Sequence, residues 1–216
     1  MEIVVDNKHI FYDQLGLGSK DIVMLHGWGQ NMEMMRPLAI KLLNDKNIKN
    51  NSRITILDLP GFGSSSEPDM DTDVFSYTKL IENFLIALKI SNPIMLGHSF
   101  GGRLSIVYSS RNETEKVILF GAPCIREYKP TFKEKVLKGL KKIPFTKDLV
   151  ELAKQYIGST DYKNASPVMR RVLVNTINQD LSECAKKITA PTLLIWGSLD
   201  TAAPIEQARK LEKLLK

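Results

Sequence analysis

Five short apolar runs recur along the chain: DIVML from residue 21, ITIL from 54, PIML from 93, KVILF from 116 and TLLI from 192. Each is of strand length and ends in a turn built from Gly, Pro, Asp or Ser. Runs with so little polar alternation belong to strands covered on both faces, the situation of a parallel sheet. The intervals among the first four read as helices. Residues 34–48 have helical spacing. VFSYTKLIENFLIALKI sets Phe75, Leu80, Phe84, Leu85 and Leu88 on one face, and residues 101–111 form a third helix. Ahead of them EIVV and HIFYDQLG read as a hairpin. The expectation is an α/β fold with a mostly parallel β-sheet and helices on both faces.

The rhythm breaks after residue 124. From 125 to 188 no strand pattern occurs, only amphipathic helical segments: FKEKVLKGLKKI, KDLVELAKQYIG and PVMRRVLVNTINQDL. The strand pattern resumes at TLLIWG, and a helix runs from about residue 204 onward. Residues 1–124 and 189–216 are therefore expected to form one α/β core, with 125–188 as a helical cap or lid inserted at one end of the sheet.

A hydrophobic content of 43% with 25% charged residues is that of an ordinary globular domain. The start, MEIVVDNKHIFYDQ, lacks the basic and apolar regions of a signal peptide, and no run approaches the ~18 apolar residues of a membrane span. A cytoplasmic protein with no membrane partner is expected, with Cys124 and Cys184 as free thiols. The net charge of +6 comes from residues 126–187, which hold 14 Lys and Arg against 7 Asp and Glu. These lie among helical apolar positions rather than beside exposed aromatics. They read as a solvated helix surface, not as a nucleic-acid site.

Ser99 stands in Gly97-His98-Ser99-Phe100-Gly101, a G-x-S-x-G pattern with an apolar strand before it and a helix after it. Glycines on either flank permit a tight strand-to-helix turn that lifts the hydroxyl above the sheet as a nucleophile. His26-Gly27-Trp28-Gly29 follows another strand, and an N–H of that loop together with the N–H of Phe100 would form an oxyanion hole. Asp200, just past TLLIWG, is placed to orient a histidine. DLPGFGSSS at 58–66 lacks the third glycine and the following helix of a dinucleotide loop, so no cofactor is expected, and no metal-ligand cluster is present.

HGWG, DLPGFGSS, GHSFGGR and APTLLIWGSLDTAAP, in this order, resemble the α/β-hydrolase superfamily, in particular its small cap-bearing serine hydrolases and esterases. The resemblance implies Ser99 as nucleophile, Trp28 and Phe100 as oxyanion donors, Asp200 as triad acid, and small ester or activated C–C bonds as substrates. A serine at the elbow separates the chain from the members that use aspartate there. Arg103 resembles an arginine of a menaquinone-pathway lyase, which makes it a candidate for binding a carboxylated substrate. A non-catalytic or partner-completed form is the third alternative.

The resemblance also implies a histidine on a loop after one more strand, with a closing helix behind it. None of His9, His26 and His98 occupies that place, and the sequence stops one helix after Asp200. A truncated fold with impaired activity is expected, with TLLIWG as an uncovered sheet edge through which copies could self-associate.

Overall fold

The computed structural model describes residues 1–125 and 160–215. Among them are seven strands: β1 (Glu2–Val5), β2 (Lys8–Leu15), β3 (Lys20–Leu25), β4 (Ser52–Leu57), β5 (Ile94–His98), β6 (Lys116–Phe120) and β7 (Thr192–Ile195). They form one sheet in the order β1-β2-β4-β3-β5-β6-β7. β1 and β2 form an antiparallel hairpin whose Asp6-Asn7 turn takes positive φ at both residues (49° and 60°), the geometry that matches strand twist. β2 joins β4 antiparallel; every later pairing is parallel. The expected α/β class and mostly parallel sheet are what the chain forms.

The uninterrupted apolar runs fill both faces of this sheet. In β3, Val23 and Leu25 enter one core cluster while Ile22 and Met24 enter the other, so alternate residues serve opposite faces. α1 (Arg36–Leu42) covers the second face through Met35 and Ala39. α3 (Val74–Ala87) and α4 (Phe100–Ser109) cover the first, and every residue of α4 is buried.

Two helix expectations need correction. Residues 34–48 are not one helix: α1 stops and Asp45 starts α2 (Lys46–Asn51) by accepting from the N–H groups of Asn47 and Ile48. The buried face of α3 is Val74, Tyr77, Ile81, Phe84 and Leu85, with Leu80 only partly covered. Tyr77 takes the central place because its hydroxyl can donate to the Pro60 carbonyl from inside the core. The Asp73 carboxylate caps α3 through Phe75 N–H (3.0 Å) and Ser76 N–H (2.8 Å).

Between β6 and β7 the described residues carry helices and no strand: α5 (Thr160–Asn164), α6 (Pro167–Ile177) and α7 (Ser182–Ala185). The expected helices FKEKVLKGLKKI and KDLVELAKQYIG lie outside the described residues. After β7, α8 (Ile205–Glu212) is the last described element. Among the described residues β7 is the last strand on that side of the sheet, and Leu193 and Ile195 are 54% and 41% exposed on it. No described helix is long and apolar enough to cross a membrane. Cys124 and Cys184 are free thiols, and burial pushes Cys124 up to about 12.

Phe84 is fully buried and meets Tyr12 edge-to-face at 5.4 Å, which joins α3 to the hairpin side of the sheet. Phe84→Ala is expected to lower the stability of the chain by about 3–5 kcal/mol, read as a shift in the urea midpoint at constant slope.

Candidate active site

The parallel strands end together at one edge of the sheet, where open α/β sheets gather their functional loops. Ser99 sits at the tip of β5 with φ 50° and ψ −108°, a conformation that a residue with a side chain adopts only under strain. Its own N–H donates to the Phe120 carbonyl (2.8 Å), which ties the turn to the end of β6. The turn closes because two neighbours lack side chains. A methyl group on Gly97 would stand 2.5 Å from the Gly101 carbonyl oxygen, and one on Gly101 would stand 2.2 Å from that of Leu25. Strand, serine and helix thus form the expected elbow, with Ser99 half-buried at the N-terminus of α4.

The loop after β3 is held against that helix end. The His26 carbonyl accepts from Gly101 N–H (3.1 Å), and Gly27 N–H donates to the Gln30 side chain (3.1 Å). Trp28 packs edge-to-face on Phe100 (5.1 Å) and Phe62 (4.9 Å), and Tyr77 also meets Phe100 edge-to-face (5.1 Å). The N–H groups of Trp28 and Phe100 have no hydrogen-bond acceptor among the described residues, unlike their neighbours at Gly27, Ser99 and Gly101. The macrodipole of α4 adds partial positive charge at the Phe100 N–H.

Asp200 lies past the end of β7 on the same side. Its Oδ1 accepts from Ala202 and Ala203 N–H (2.9 Å each), while Oδ2 faces Gly121, the residue after β6. Ser99 and Asp200 are thereby carried by the ends of β5 and β7, with β6 between them.

The three histidines have other places. His9 is on the hairpin, paired with Glu2. His26 is fully buried: Leu59 N–H donates to Nε2 (3.0 Å), so Nε2 carries no proton, and Nδ1–H donates to the Gly27 carbonyl (2.7 Å). This backbone clamp sets the tautomer and fixes the 26–29 loop. His98 turns toward Gly27 and feels the charge of Asp200. None of the three is hydrogen-bonded to Ser99 or Asp200.

Sequence reasoning did not find Asp58, a carboxylate with 3% exposure that accepts from Met32 N–H (2.8 Å) and Ser64 N–H (2.9 Å). It pins the loops after β3 and β4 to one another; its only signal was an acid at a strand end before Pro-Gly. Nor was the cavity of about 260 Å³ bounded by Trp28, Gly29, Gly61, Phe62 and Met169 legible, since α6 supplies its last wall. Glu67 and Ser166, hydrogen-bonded at 2.5 Å, form its polar rim. Arg103 does not line this cavity. It is 5% exposed, and its guanidinium donates to the carbonyls of Pro123 (2.6 Å), Thr176 (2.9 Å) and Gln179 (2.5 Å).

Burial holds His26 and His98 below the ordinary histidine value of 6.5. In the unfolded chain both protonate as the pH falls through that value, whereas in the folded chain they do so only at lower pH. The unfolded state then binds more protons, so stability falls as the pH drops below about 6.5. The melting temperature is expected to decline between pH 7 and 5, and less steeply in His26→Gln. An equal slope in that variant would remove His26 from the account.

A sequence model described as alpha/beta hydrolase fold matches residues 21–150. An AB hydrolase superfamily protein of Bacillus subtilis is 27% identical over 96% of this chain and 84% of its own length. A pimeloyl-[acyl-carrier protein] methyl ester esterase of Wigglesworthia glossinidia brevipalpis is 26% identical over 96% and 85%. Among solved structures, an esterase from Exiguobacterium antarcticum superposes with a TM-score of 0.74 at 24% identity, covering all of this chain and 87% of the other, a likeness of fold. With elbow, loop and strand order in agreement, the chain belongs to the alpha/beta hydrolase fold family.

Proposed function

We propose that the chain is a serine esterase acting on small esters through an acyl-enzyme on Ser99. Oγ attacks the ester carbonyl carbon, and the oxyanion that forms accepts from the N–H groups of Trp28 and Phe100. The intermediate collapses with departure of the alcohol, which takes the proton that Oγ gave up to a base on attack. Water then attacks the acyl group, and the acid leaves as Oγ is restored. Asp200 is the acid placed to orient such a base. The observation that carries this reading is the strained Ser99 at a turn whose Phe100 N–H, like the Trp28 N–H of the loop held against it, has no acceptor among the described residues. An oxyanion donor of this kind is worth about 2.7–4 kcal/mol in the transition state.

The similarity to a methyl ester esterase supports an ester as substrate, and the cavity of about 260 Å³ beside Trp28 offers room for a compact group on it. Elimination from a carboxylated substrate held by Arg103 has less support, because that guanidinium is engaged by three backbone carbonyls.

Within these 216 residues Ser99 has no hydrogen-bonded histidine. With no base hydrogen-bonded to it, its hydroxyl is a slow nucleophile. Enzymes stripped of a triad member retain about 10³–10⁴-fold catalysis over water through oxyanion and binding effects. Hydrolysis of p-nitrophenyl acetate is therefore expected to be slow and to rise at least about tenfold with added imidazole as an external base. In Ser99→Ala the increment should vanish beyond imidazole's own reaction. The same increment in wild type and Ser99→Ala would exclude the serine mechanism.

A further inference from the structure

Arg103 carries a charge, lies four residues beyond Ser99, and is buried at 5% exposure. Its carbonyl acceptors among the described residues sit on both sides of the connection between β6 and β7. Pro123 is on the outgoing side; Thr176 and Gln179 are on the returning side, at the C-terminus of α6. The last carbonyls of a helix lack intrahelical donors and carry the negative end of its dipole, so a guanidinium there satisfies them in both respects. The junction is reinforced locally. Leu181 N–H donates to the Cys124 carbonyl (2.9 Å), and the Gln179 side chain bridges Asp73 (3.0 Å) and Val74 N–H (2.9 Å) at the start of α3.

The other end of α6 bounds the cavity. Ser166 caps the helix by accepting from Met169 N–H (3.1 Å), and the Met169 sulfur lies where a side chain on Gly61 would otherwise stand. One rigid helix, roughly 16 Å long, therefore runs from the Arg103 junction to the wall of the cavity.

We propose that Arg103 is a positioning residue that fixes the Met169 wall by fastening the C-terminus of α6 to the helix that bears the nucleophile. The chain then selects the size of the group entering the cavity through a residue that does not touch it. This consequence for substrate choice rests on the reading of Ser99 as nucleophile. Lysine cannot replace the function, since a single ammonium cannot span carbonyls on three residues as the guanidinium fork does.

The test compares wild type, Arg103→Lys and Met169→Ala by amide hydrogen exchange and by imidazole-assisted hydrolysis of p-nitrophenyl acetate and hexanoate. In Arg103→Lys the amides of α6 are expected to exchange about tenfold faster, while those of β3 and β5 are unchanged. KM should rise about tenfold for the hexanoate and stay within about twofold for the acetate, with kcat unchanged for both. Met169→Ala, which alters the wall and leaves the latch intact, should reproduce the KM change without the exchange change. Unaltered α6 exchange in Arg103→Lys, or an equal effect on both esters, would overturn the proposal. Lack of any imidazole-dependent hydrolysis in wild type would defeat the Ser99 reading, and the exchange result would still decide the latch.

Discussion

The distance between β5 and α4 is set where Gly97 and Gly101 face one another with no side chain between them. That contact forces the chain to reverse within a single residue, and the residue is Ser99, held at positive φ. Strain of this kind costs about 1–3 kcal/mol and persists only where the surroundings dictate it. Here the surroundings are a helix buried along its full length and two parallel strands whose ends hydrogen-bond into the turn. Because α4 approaches so closely, its first turn reaches the loop after β3, and Gly101 N–H binds that loop at His26. The N–H groups of Trp28 and Phe100, in the two segments joined by this contact, have no acceptor among the described residues.

Buried polar groups around this turn act as fasteners between loops remote in sequence. His26 joins the ends of β3 and β4, Asp58 joins the loops that follow them, and Arg103 joins α4 to both ends of the β6–β7 connection. Each is desolvated, and each has backbone partners that offset the cost. The site is thus built mostly on main-chain groups, whose positions vary less than those of long side chains. In the proposed reading its chemistry is that of preorganised donors awaiting a developing negative charge.

Much of the architecture could be read from the sequence because its signals are local. Strands β3 to β7 are apolar runs bounded by turn residues, and the elbow needs only five consecutive residues in the right order. What could not be read depends on contacts between distant segments. The buried face of α3 turned on whether Tyr77 could find an acceptor, which Pro60 supplies from another loop. Arg103, next to the elbow, invited a role in substrate binding, yet its acceptors lie 20 to 76 residues away. The cavity wall at Met169 exists only because α6 folds back over Gly61. A one-dimensional pattern holds no record of which carbonyl a guanidinium will meet.

The central claim is that the elbow presents Ser99, and no other hydroxyl, as a preorganised nucleophile whose reactivity waits on a base. Peptide mapping of the chain after exposure to a fluorophosphonate, with and without imidazole, tests this directly. The expected result is one adduct, on the peptide containing Ser99, formed faster when imidazole is present. An adduct distributed over other serines or tyrosines, or none in either condition, would contradict it.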